Sequence, residues 1–309
     1  MDRTKPAAVD PSARRRNERK KNNMLTDAPA ALRKSLAQPG LLRAPGVFEG
    51  LGAHLVRRAG FSAAYLTGAG VAVSGYGLPD IGLVTGSEMA ERVALVVEAS
   101  GLPVIADADT GYGNAANVVR TVRAYERAGV AAIQLEDQAF PKRCGHLTGK
   151  ELVSADEFAR KLHAALDARE ADTIIIARTD ARGPAGIDEA IARAQRYAAE
   201  GADLIFVEAP ESREEIERIA AEIATPLVFN VVPSGRSPEI DEKDLEDLGF
   251  KLAIYPGALL GPMAAAMAHA LAGMGGPVTG QAAARDAGPQ GIFELVGLRE
   301  WAELGERYR

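Results

Sequence analysis

From residue 41 onward the chain alternates short, unbroken apolar runs with longer amphipathic stretches. Eight of the runs predict strands: "APGVFE" (44–49), "AAYLTG" (63–68), "PVIADAD" (103–109), "AAIQLED" (131–137), "TIIIARTD" (173–180), "DLIFVEAP" (203–210), "PLVFNVV" (226–232) and "LAIYPG" (252–257). They are continuous rather than alternating, as strands buried on both faces should be. Between them, "NAANVVRTVRAYERAG" (114–129) and "GIDEAIARAQRYAAEGA" (186–202) carry helical periodicity and stop at glycine, the expected C-terminal punctuation. Strands alternating with helices over about 230 residues predict a (β/α)8 barrel. A doubly wound open sheet is the competitor, but no G-x-G-x-x-G follows the first strand to support it. The last stretch, "GIFELVGLREWAELGERYR" (291–309), is an amphipathic helix left over after a complete barrel. Such a helix packs on its own barrel or on a neighbouring subunit.

What closes each strand turns the pattern from architecture to chemistry. "ADAD" ends the third strand, "LED" the fourth, "ARTD" the fifth, "VEAP" the sixth and "FNVV" the seventh. Barrels build their active sites at the C-terminal strand ends, so these side chains should converge on one pocket. Asp107 and Asp109 are two apart, which on a strand sends both to the same side. Two carboxylates facing one pocket repel unless a cation or a proton lies between them. An oxygen-rich set with no Cys or His cluster suits Mg²⁺ or Mn²⁺ better than zinc. One or two such residues are ordinary caps or turns. Asp107, Asp109, Glu136, Arg178, Glu208 and Asn230, spread over five strand ends, read as a site.

Composition and charge narrow the partners. With 309 residues, 47% hydrophobic and 25% charged, the chain suits a soluble globular protein with a full core. Residues 1–24 hold eight Lys/Arg against three Asp/Glu, a net of +5, while the whole chain carries −6. The remainder therefore carries −11, which argues against nucleic acid. The stretch 1–24 lacks apolar periodicity and reads as a disordered basic tail, followed by a single barrel domain over 25–309. One cysteine permits no internal disulfide and points to a reducing, cytoplasmic setting. No apolar run reaches the roughly 20 residues of a membrane span, and no signal peptide follows Met1.

The single cysteine, Cys144, lies in "PKRCGHLTGK" (141–150), a segment too polar for a core. With Lys142, Arg143 and His146 beside it, a thiolate should be held and the thiol pKa lowered. A thiol so placed can act as a proton donor, and Gly145 and Gly149 give the loop freedom to close. His54, His163 and His269 lie in helical patterns away from strand ends and are assigned no role.

"KRCGH" after a strand ending "LED", preceded by "DADTGYGN" and followed by "ARTDA" and "VEAP", resembles the isocitrate lyase/phosphoenolpyruvate mutase superfamily. The likeness spans roughly residues 30–300 and is greatest to the short methylisocitrate lyase and dimethylmalate lyase type. It implies that Thr67, Gly68 and Ala69 hold a substrate carboxylate. Asp107 and Asp109 would bind Mg²⁺, with Asp80 and Glu136 as outer supports acting through water. Cys144, Gly145 and His146 would form the catalytic loop, and Arg178, Glu208 and Asn230 would orient substrate oxygens. It further implies a homotetramer that exchanges its C-terminal helices, and a small dicarboxylate or tricarboxylate substrate.

The resemblance has a gap. Methylisocitrate lyases place an arginine six residues beyond the "YP" of the last strand to hold a third carboxylate, and that position here is Gly261. Their second arginine, near the C-terminal helix, has no counterpart in "GIFELVGL". Arg236 in "NVVPSGRSP" could offer a replacement cation. A dicarboxylate such as a substituted malate is thus expected, with carbon–carbon cleavage as the reaction. The competing expectations are oxaloacetate hydrolysis or decarboxylation, phosphonate chemistry, and a non-catalytic barrel that binds a partner.

Overall fold

The computed structural model describes residues 27–275 and 288–308, so the basic stretch 1–24 lies outside the described residues. The strands are β1 (Leu42–Val47), β2 (Ala64–Leu66), β3 (Val104–Asp107), β4 (Ala132–Glu136), β5 (Ile174–Thr179), β6 (Leu204–Val207), β7 (Leu227–Asn230) and β8 (Leu252–Tyr255). All pair in parallel and in chain order, and β8 closes on β1. The expected barrel is therefore present, with one strand in each of the eight apolar runs.

Unbroken apolar runs suit these strands because both faces are covered. Ile105, Ile174, Ile176, Leu204, Phe206 and Ile254 join one cluster inside the barrel. The residues between them, such as Ala106, Ile175 and Ile205, pack outward against the helices, where Tyr125 and Phe158 are fully buried. The helices start on side-chain caps. Thr85 and Glu88 form a reciprocal capping box at helix Gly86–Ser100, and Asn114 with Asn117 does the same for helix Ala115–Arg127. Gly129 and Gly201, at φ of 86° and 100°, stop two helices as the sequence predicts.

The pattern did not announce a helix at 27–36. Its Ala28 and Leu32 belong to the interior cluster beside Ala63 and Ala131, which precede β2 and β4. It therefore plugs the barrel at the strands' N-terminal ends and leaves the opposite end for a site. The predicted terminal helix is divided into Gly288–Glu294 and Leu298–Arg307, broken where Gly297 adopts φ 79°. Ile292 and Phe293 of the first piece are buried against this same chain, while Leu295, Trp301 and Leu304 are exposed. No helix among the described residues is long and apolar enough to cross a membrane.

Candidate active site

The C-terminal strand ends open into a cavity of about 870 Å³. Ten of the sequence-predicted site residues line it. Thr67 and Ala69 follow β2, Asp107 ends β3, Arg178 lies on β5, Glu208 follows β6 and Asn230 ends β7. Asp80 and the Cys144, Gly145 and His146 segment come from loops. Gly68, Asp109 and Glu136 stand just behind this surface. Gly68 N–H donates to Asp107 Oδ2 at 3.3 Å, and Glu136 Oε2 lies 3.3 Å from Arg178 Nε.

Asp107 and Asp109 do meet, but not by strand alternation. β3 ends at Asp107, and Asp109 lies past it in the left-handed region at φ 45°. The turn folds back so that Asp109 N–H donates to Asp107 Oδ1 at 3.1 Å. It is pinned from behind by Tyr125 Oη on the Asp107 carbonyl and Lys161 Nζ on the Thr110 carbonyl.

Sequence reasoning missed the cation inside the acidic cluster. Lys142, read there only as a neighbour of the thiol, places its Nζ 2.5 Å from Asp80 Oδ1 and 2.9 Å from Asp109 Oδ1. Burial disfavours its charge, but Asp109 and Asp80 outweigh that and hold the ammonium well above its ordinary pKa. Asp180 was missed as well, although "ARTD" displayed it. It accepts from Arg178 Nε at 2.8 Å and Nη2 at 3.0 Å. Despite burial, Arg178 and Lys150 hold Asp180 well below the usual carboxylate range.

The carboxylates divide by environment. Burial pushes Asp109 up to about 7, with Lys142 opposing and Asp107 reinforcing. Burial likewise raises Glu136 well above the carboxylate range, against the pull of Arg178. Glu208 goes the other way. Burial works against its charge, yet Arg178 and then His146 bring it down to about 2. His146 Nδ1 accepts the Arg236 backbone N–H at 3.0 Å, so the ring proton belongs on Nε2, which faces Glu208 Oε1 at 3.0 Å.

Cys144 corrects an expectation. Its thiol pKa is not lowered. Burial pushes it up to about 12, and Asp80 adds to the effect. The cation expected to hold a thiolate, Lys142, is turned toward carboxylates instead. The sulfur is thus a protonated acid at neutral pH, not a thiolate.

The far wall of the cavity is apolar: Leu260, Pro262, Ala265, Ala266, Ile292 and Phe293 line it, with Gly261 among them. His269 also faces the cavity from helix Leu260–Gly273, contrary to the expectation that it lay apart. Arg236 is not a replacement cation. It is committed to Glu211 at 3.0 Å and to the His146 carbonyl at 3.2 Å, and it does not line the cavity.

Among the described residues, no three His, Cys, Asp or Glu side chains form a ready metal cluster. The donor set nevertheless fits a hard divalent cation. Asp109 Oδ1 and Glu136 Oε2 are buried without an aligned hydrogen bond, although Lys142 and Arg178 lie near them. Mg²⁺ characteristically takes one or two carboxylates and completes its shell with water and substrate oxygens. Asp107 facing the cavity, with Asp80, Asp109 and Glu136 around it, can meet that demand.

The family described as phosphoenolpyruvate phosphomutase matches residues 32–274. The chain belongs to that family. It is 50% identical over 230 residues to the 2,3-dimethylmalate lyase of Eubacterium barkeri, covering 74% of this chain and 80% of that relative. It is 46% identical over 225 residues to the 2-methylisocitrate lyase of Aeropyrum pernix, covering 73% and 72%. A crystal structure of 2,3-dimethylmalate lyase, described as a PEP mutase/isocitrate lyase superfamily member, superposes with a TM-score of 0.78 at 39% identity, over 91% of this chain and 95% of that one. Oxaloacetate acetylhydrolase bound to 3,3-difluorooxalacetate superposes with a TM-score of 0.79 at 35% identity, over 92% and 97%.

Proposed function

We propose that the protein is a Mg²⁺-dependent carbon–carbon lyase that cleaves an alkyl-substituted 2-hydroxy dicarboxylate to a 2-oxo acid and a carboxylic acid. One observation carries the reading. A strand-end cluster of carboxylates with Arg178 faces an apolar wall, and Gly261 of that wall holds the position at which the resemblance to methylisocitrate lyases implies an arginine. An unpaired carboxylate in such a place costs on the order of several kcal/mol, whereas each substrate methyl buried there contributes about 0.8 kcal/mol. Alkyl groups win that comparison.

The chemistry divides between the two sides. Asp107, Asp80, Asp109 and Glu136 would hold the Mg²⁺, and when bound it polarises the forming oxo group as a Lewis acid. Arg178, Asn230 and the Thr67–Ala69 turn hold carboxylate oxygens. A carboxylate of the cluster takes the proton of the 2-hydroxyl as the C2–C3 bond breaks and its electron pair passes to C3. The Cys144 thiol donates a proton to C3, giving the carboxylic acid, and regains one from solvent after release. Because burial raises the thiol pKa, Cys144 carries at neutral pH the proton this step consumes. His146 and Glu208 order the polar side, and loop closure excludes water.

The apolar faces left exposed at Met267, Leu271, Trp301 and Leu304 support assembly through the C-terminal helices in a cytoplasmic homotetramer. The test of function is a screen of 2,3-dimethylmalate, 2-methylisocitrate, citramalate and oxaloacetate with Mg²⁺ or Mn²⁺, and again with a chelator. Cleavage of 2,3-dimethylmalate above the others, lost with the chelator, is expected. Turnover of oxaloacetate alone would replace this reading with hydrolysis or decarboxylation, and turnover unaffected by the chelator would remove the metal from it.

A further inference from the structure

Lys150 is a buried lysine on the catalytic loop that does not line the cavity. Its ammonium donates to the Gly145 carbonyl at 2.6 Å and to Asp180 Oδ1 at 2.9 Å. Asp180 is itself immobilised. It accepts two hydrogen bonds from Arg178, and its backbone N–H donates to Asp137 Oδ1 at 2.9 Å. Asp137 is fixed in turn by Thr179, Tyr197 and Arg193. A rigid line of hydrogen bonds therefore runs from helix Ile187–Ala199 through Asp137 and Asp180 to Lys150, and it ends on the Gly145 carbonyl.

What Lys150 grips is the loop's point of closest approach. A Cβ on Gly145 would stand 2.4 Å from Arg178 Nη2 and 2.5 Å from Glu208 Cγ, so the backbone itself presses on the polar wall. Cys144 and His146 are carried with it. The loop has other anchors: Lys142 binds the acidic cluster, His146 faces Glu208, Gln138 brackets the Arg143 backbone, and Arg236 donates to the His146 carbonyl. Lys150 reaches the site only through Gly145 and Asp180.

We propose that Lys150 is a positioning residue, and that the Gly145 carbonyl–Lys150–Asp180 bridge latches the Cys144–His146 segment in its substrate-facing position. The latch does not depend on which acid is cleaved. Removing the ammonium breaks two charge-assisted hydrogen bonds. Arg178 still pairs with the buried Asp180 in that case, so the barrel end is not left with an unpaired charge.

Cys144 is the sole cysteine, so alkylation of the whole chain reports the loop directly. Iodoacetamide labelling of the folded protein is followed by intact mass for wild type, Lys150→Met and Lys150→Arg. Lys150→Met is expected to label at least about tenfold faster, equivalent to about 1.4 kcal/mol of lost closure. Its kcat should fall by a similar factor while KM changes less than about threefold, because Lys150 touches no substrate. Lys150→Arg, which keeps charge and donors, should recover part of both. A purely structural role would lower Tm without speeding labelling below the unfolding transition, and labelling of folded Lys150→Met at the wild-type rate overturns the latch. Should Lys150→Met fail to fold, Lys150→Gln is judged by the same labelling: faster supports the latch, and unchanged overturns it. The readout needs no turnover, so it stands apart from the test of function.

Discussion

The two walls of the cavity are built by opposite rules. The polar wall is drawn from six loops and strand ends between Thr67 and Asn230, and nearly every charge in it touches another. The apolar wall comes from the chain between Leu260 and Phe293 near the C-terminus, and among the described residues lining it His269 is the one titratable side chain. Buried charges are costly unless paired, so the polar wall tolerates few substitutions. An apolar surface constrains only volume and shape, so its opposite wall can be retuned. On the proposed reading, chemistry and selectivity would rest on different physical grounds.

Breaking the polar wall should have the largest effect. Cys144→Ser keeps the shape but replaces the thiol with a much weaker acid, so kcat should fall at least about a hundredfold. Substrate and Mg²⁺ affinities should be nearly unchanged, as read by steady-state kinetics and calorimetry. Turnover equal to wild type on every acid cleaved would remove Cys144 as the proton donor.

Crossing the comparison comes next. Gly261→Arg puts a cation into the apolar wall, at a helix position arginine accepts readily. The ratio of kcat/KM for 2-methylisocitrate over 2,3-dimethylmalate should rise about tenfold, the scale of one new charge-assisted contact. A ratio that does not move would show that the third carboxylate is not excluded at this wall.

The smallest effect concerns stability. Asp109 is raised by burial to about 7. As pH climbs from about 4, the unfolded chain loses this proton while the folded chain keeps it, so the folded state loses stability until pH passes about 7. With a chelator present, Asp109→Asn should therefore melt a few degrees above wild type at pH 8, and the gap should close at pH 4. An equal gap at both pH values would contradict the assignment.

The architecture was legible because covered strands leave an unmistakable mark. The runs around Ile105, Ile175 and Ile205 are apolar on both faces, and each became a strand. The polar strand ends were equally visible, since Asp107, Glu136, Arg178 and Asn230 interrupt those runs at one end of the barrel. Pairing was not. Lys142 is two residues from Cys144 in the chain, yet its long side chain reaches Asp80 and Asp109, a destination that only the folded loop reveals. The same blindness inverted the thiol's acidity, because burial outweighed the neighbouring charges that the sequence displays. His269 escaped because a helical pattern does not say which face meets a cavity.

The placement of the apolar wall has an evolutionary consequence. Leu260, Gly261, Ala265, Ala266, Ile292 and Phe293 line one wall and all follow the last strand of the barrel in the chain. A single crossover between two genes, falling after β8, would exchange this whole surface and leave Cys144 and the acidic cluster unchanged. On the proposed division of roles, recombination would change the substrate in one step and keep the catalytic groups in place.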